Sequence, residues 1–134
     1  MNADPRGWIG VDLDGTLALY NEVYGVETVG PPIPKMLARV QQWLNEGANV
    51  RIFTARVYPL ALVNPDEDLD STVFIHDREV FAKDQVVKIR EWCQFHLGKS
   101  LPITCQKDFL MIQLWDDRCV QIIPNTGIRA DGHG

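Results

Sequence analysis

An α/β sandwich around a mostly parallel sheet is the fold class this chain predicts, and three features of the sequence point there. Short apolar runs alternate with stretches of helical periodicity, turn residues mark the joins, and carboxylates gather just after the apolar runs. At 134 residues the chain is expected to form one domain with a real core. A hydrophobic fraction of 46% beside 23% charged residues is that of an ordinary globular protein.

The first strand spans about Trp8 to Asp12, where Trp8, Ile9, Gly10 and Val11 form a buried apolar run. It leads straight into Asp12-Leu13-Asp14-Gly15-Thr16. Two carboxylates one residue apart then sit at the carboxyl end of a strand, where ligands of open α/β sheets collect, and the pair suits phosphoryl chemistry. Residues 17–33 hold Tyr20, Asn21, Tyr24, Gly25, Gly30, Pro31 and Pro32. The stretch is too short for a folded cap domain and suits a hairpin or flap beside the site. Pro34 opens a helix at its first position, Met36, Leu37, Val40, Trp43 and Leu44 share one face, and Gly47 stops it.

Strand two is expected over Asn49 to Thr54, with Val50, Ile52 and Phe53 as its apolar members. Residues 57–82 read as a loop insertion, in which Asn64-Pro65-Asp66-Glu67-Asp68 is solvated and Thr72-Val73-Phe74-Ile75 is either a short strand or a packed turn. A helix follows, with Val86, Ile89, Cys93 and Leu97 spaced three, four and four apart and Gly98 at its end. Leu101 to Cys105 is strand three, Met111 to Trp115 strand four, and Val120 to Ile123 a candidate fifth strand, stopped by Pro124-Asn125-Thr126-Gly127. The domain is expected over 1–128, with 129–134 a disordered tail. Parallel neighbours need a crossover of roughly a dozen residues, and only 106–110 separate strands three and four. Either such crossovers shrink to single turns, or the last strands are not ordinary parallel neighbours.

A net charge of −5 argues against broad electrostatic binding of nucleic acid or anionic membrane, although a metal would invert the local charge at a site. No apolar run approaches the ~20 residues of a membrane span. The start, Met1-Asn2-Ala3-Asp4-Pro5-Arg6, lacks an apolar signal core, so a cytoplasmic location is expected. Cys93, Cys105 and Cys119 are unevenly spaced and read as reduced, buried thiols.

Taken in order, the motifs are Ile9-Gly10-Val11-Asp12-Leu13-Asp14-Gly15-Thr16, Ile52-Phe53-Thr54-Ala55-Arg56, Lys107-Asp108 and Leu114-Trp115-Asp116-Asp117-Arg118. This order resembles the haloacid dehalogenase superfamily, whose members are mostly magnesium-dependent phosphatases, from Trp8 to about Gly127. The resemblance implies a three-layer, Rossmann-like sandwich with little or no cap. It implies that Asp12 attacks phosphorus and carries an aspartyl phosphate, splitting one hard step into two easier ones. It also implies that Asp14 protonates the leaving oxygen and then deprotonates water. By the same resemblance Asp12, the backbone carbonyl of Asp14 and Asp116 hold Mg²⁺, with Asp117 a ligand or a neighbouring base. Thr54 would hydrogen-bond a phosphate oxygen and Lys107 neutralise its charge, with Lys83 as the rival lysine. Arg56 and Arg118 read as substrate contacts, braces for the carboxylates or solvated surface groups, and Thr16 and Gly15 as residues that shape the loop.

The resemblance implies a phosphomonoester as the expected substrate, whether of a small metabolite, a nucleotide or a polynucleotide end. An uncapped site implies a bulky substrate or cover by another subunit. A phosphotransferase on the same fold, or a non-catalytic phosphate- and Mg²⁺-binding regulator, is the alternative. A receiver domain of two-component signalling also combines acidic residues, threonine and lysine. There the threonine follows the phosphorylated aspartate and the lysine comes last, whereas here Asp116-Asp117 closes the set.

Overall fold

The computed structural model describes residues 4–23, 25 and 27–133; Tyr24 of the expected flap and the chain ends lie outside the described residues. In order along the chain come β1 (Trp8–Asp12), α1 (Pro34–Asn45), β2 (Asn49–Phe53), α2 (Asp77–Leu97), β3 (Ile103–Thr104) and β4 (Met111–Trp115). The four strands form one sheet in the order β3-β2-β1-β4, and every pairing is parallel. The fold is therefore α/β with a parallel sheet, as expected. No helix among the described residues is long and apolar enough to cross a membrane.

Alternation along the strands divides the sheet into two faces. Ile9 and Val11 of β1 lie level with Val50 and Ile52 of β2. These four join one buried cluster with Met36 and Val40 of α1 and Val86, Ile89 and Cys93 of α2, so both helices serve the same face. Trp8, Gly10 and Arg51 point to the other. There Gly10 leaves the space that Met111, Trp8 and Leu114 fill, for an added Cβ would meet all three at 3.0–3.2 Å.

This topology resolves the short link between β3 and β4. The two are opposite edges of the sheet, not neighbours. Residues 105–110 must therefore cross its whole width and return to its amino end, a diagonal of about 20 Å that a short segment covers only when mostly extended. Asp108 fastens this strap to the second face. Its carboxylate accepts from the Trp8 indole at 2.8 Å and from Arg51 at 3.2 Å, and the Arg51 guanidinium lies 4.3 Å above the Trp8 ring.

Other elements differ from expectation in their limits. The second helix starts at Asp77, inside the stretch assigned to a loop, because Asp77 and Glu79 suit a helix amino terminus. Residues 72–75 form no strand: Val73 and Ile75 are exposed and only Phe74 reaches the core. Val63 pairs antiparallel with Ile103, so the insertion covers the β3 edge. The fifth strand is absent as a sheet member. Residues 121–130 instead fold as a hairpin, with Ile123 bonded to Ile128 and Ala130 to Gln121, each at 2.8 Å. That pairing includes Arg129 and Ala130, the first residues of the expected loose tail. Of the three free thiols only Cys93 is buried; Cys119 is exposed.

Candidate functional site

β1 is the switch point of the sheet. From it the chain passes through α1 to β2 on one side, while β4 returns to its other side. A crevice opens where the strand order reverses, at the carboxyl ends of the strands. Val11 lies level with Trp115, so the residues that follow, Asp12 and Asp116, emerge side by side. Trp115 is held from beneath by Trp43 of α1, with ring centroids 5.1 Å apart, and by Arg39 at the same distance.

Asp12, Asp14, Thr54, Asp116 and Asp117 line one cavity of about 470 Å³, together with Gly15, Tyr20, Phe53, Arg56 and Arg118. Five of the six residues singled out from sequence thus converge. Carboxylate oxygens of Asp12, Asp116 and Asp117 lie within 4.8 Å of one another. Such a donor set suits a hard cation, which takes oxygen ligands and keeps several waters. The electrostatics agree: partial burial, a hydrogen bond shared with Asp117 and the charges of Asp116 and Asp117 push Asp12 up to about 7, against a smaller opposing bond from Thr16. Burial and neighbouring negative charge both favour the protonated form of Asp12.

Gly15 makes the crowding sterically feasible. Its φ is 87°, and a Cβ built there would stand 2.5 Å from Oδ2 of Asp117. The Thr16 hydroxyl lies 3.3 Å from Oδ2 of Asp12 and 3.4 Å from Oδ1 of Asp117, so this residue touches the carboxylates as well as shaping the loop. Arg118 donates its backbone N–H to Asp116 at 2.7 Å, fixing the turn that follows β4.

Thr54 is buried and caps the single 3₁₀ turn Ala55–Val57, its hydroxyl oxygen accepting from the Arg56 N–H at 3.2 Å. Capping uses a lone pair, which leaves the hydroxyl proton to donate into the cavity. Lys107 is exposed and does not line the cavity. It stands at the margin, near enough to act on Cys119, whose thiol is raised by the little burial it has and by Asp116 and lowered by Lys107. Lys83 is turned to Asp70 at 3.4 Å. Among the described residues of the cavity wall, Arg56 is paired with Asp14 and Arg118 makes no ion pair with a carboxylate of the site.

Residues 17–33 begin and end as a hairpin. Leu19 donates to the Pro31 carbonyl and Ile33 to that of Leu17, each at 2.8 Å. From this loop Tyr20 reaches the cavity wall. Arg56 joins loop and site: its Nε and Nη2 take both oxygens of Asp14 at 2.7 and 2.8 Å. Gln85, which meets Nη1 at 2.7 Å, was not singled out from sequence. No motif marks a glutamine on a helix, and only its complete burial reveals it.

Compared with family models, with curated proteins and with solved structures, the chain matches none.

Proposed function

We propose that this chain is a small Mg²⁺-dependent phosphatase of the haloacid dehalogenase type that hydrolyses a phosphomonoester through an aspartyl phosphate. The observation that carries the reading is the meeting of Asp12, Asp116 and Asp117 within 4.8 Å, beside Asp14 and Thr54 in one cavity. The same reading assigns the chain to three-layer, Rossmann-like enzymes without a cap, with the 105–110 strap running where the covering layer would lie.

On this reading an oxygen of Asp12 attacks phosphorus as the ester P–O bond breaks, and the leaving oxygen takes a proton from Asp14. Asp14 then removes a proton from water, whose oxygen attacks the phosphorus of the aspartyl phosphate, releasing phosphate and restoring Asp12. Thr54 donates its hydroxyl proton to a phosphate oxygen, and Arg118 offsets charge from the cavity wall. Asp12, Asp116, Asp117 and the Asp14 carbonyl would hold Mg²⁺, which supplies charge compensation between two anions. The Lys107 side chain, exposed at the margin, would have to turn inward to share the phosphate.

The test is phosphate release from p-nitrophenyl phosphate and a panel of phosphate esters, with Mg²⁺ or EDTA, for the wild type and Asp12→Asn. Activity that needs both the cation and Asp12 is expected. Turnover retained in Asp12→Asn would remove the nucleophile assignment, and a silent wild type would favour a non-catalytic binding role.

A further inference from the structure

Asp12 and Asp14 are two residues apart and face one cavity, yet only Asp12 belongs to the acidic cluster with Asp116 and Asp117. The Asp14 carboxylate is taken by Arg56, bidentate, at 2.7 and 2.8 Å. Arg56 is itself only 6% exposed, and its guanidinium is held on every side. Nη1 donates to Oε1 of the fully buried Gln85 at 2.7 Å, and Nη2 also donates to the carbonyls of Gly25 at 2.9 Å and Thr28 at 3.1 Å. A buried guanidinium is costly unless its donors are matched, and a planar fork fixed this way orients a carboxylate far better than a point charge.

A fourth carboxylate so near this acidic cluster would be drawn to any cation the three hold. We infer that Arg56 is a positioning residue that keeps the Asp14 side chain out of the Asp12–Asp116–Asp117 cluster and aims it at the leaving oxygen, with Gln85 holding Arg56 in place. The inference rests on the reading of Asp14 as acid and base. Arg56 has no direct part in the chemistry, since its donors are already engaged by Asp14, Gln85 and the loop carbonyls.

A positioning role separates from general structural support by leaving group. A p-nitrophenolate departs without a proton, whereas an alkoxide needs one from Asp14. Arg56→Lys keeps the charge and loses the fork. It should lower kcat/KM for an alkyl phosphate by roughly 10²-fold, the scale of general acid catalysis. On p-nitrophenyl phosphate the loss should be under about tenfold. Gln85→Met, which leaves Arg56 and Asp14 in place, should show the same pattern more weakly and serves if Arg56→Lys does not fold. Equal losses on both esters would overturn the inference while leaving the phosphatase reading intact. A wild type inactive on both would overturn that reading and this inference with it.

Discussion

A methyl group at position 15 would press on the Asp117 carboxylate from 2.5 Å, on a backbone with φ of 87° that L-residues adopt at a cost. That cost is about 1–2 kcal/mol for the backbone alone. Gly15→Ala should therefore lower the melting temperature and, by displacing Asp117, weaken any effect of Mg²⁺ on it; thermal melts with and without the ion check both. At position 12 the expected sign is opposite. The site raises Asp12 to about 7 because burial and two neighbouring carboxylates oppose its charge. Asp12→Asn removes that opposition, so the metal-free variant should melt higher than the wild type at pH 8 while losing turnover. The convergence of Asp12, Asp14, Thr54 and Asp116-Asp117 was legible at the residue scale because each stands at or just past the carboxyl end of a strand. Lys107 is the exception: it follows a strand in sequence, but its side chain is exposed and does not line the cavity.

Elements with a repeating pattern were legible, and those fixed by distant contacts were not. α1 begins at Pro34 and ends at Asn45, where the apolar spacing and Gly47 place it. β1, β2 and β4 likewise follow their apolar runs. β3 is only two residues long, shorter than the apolar run from Leu101 to Cys105, and its outer edge pairs with Val63, a pairing no local signal announces. The strap was unreadable for the same reason, since its conformation is set by Trp8 and Arg51 on strands far away in sequence. Trp8 is fully buried with its indole N–H on Asp108. Trp8→Phe should lower stability by roughly 1–3 kcal/mol through the lost hydrogen bond and the space left, measured by urea unfolding. The cavity lies at the other end of β1, so kcat should change little in the same variant.

For the molecule as a whole, pH and cation should act together. Asp12 binds its proton more tightly folded than unfolded, about 7 against 3.8. The stability this adds is complete below the unfolded value and disappears as pH rises through about 7. Metal-free protein should accordingly melt lower at pH 8 than at pH 6. Mg²⁺ requires the ionised form, so its stabilising effect should be greater at pH 8. Melting curves at the two pH values, with the ion and with EDTA, decide this; a cation effect independent of pH would separate the ion from Asp12.

β4 is an edge strand whose one sheet neighbour is β1, and it carries Asp116 and Asp117 to a loop that belongs to the first residues of the chain. Thr16 and Asp117, in contact there, are 101 positions apart. A cation held between Asp12 and the Asp116–Asp117 pair would work as the clasp of a bracelet, joining two stretches whose closure costs chain entropy. Filling the clasp would then slow hydrogen exchange at the β4 amides far more than at those of α2, where no ligand lies, and mass spectrometry of the exchanged peptides would register the difference.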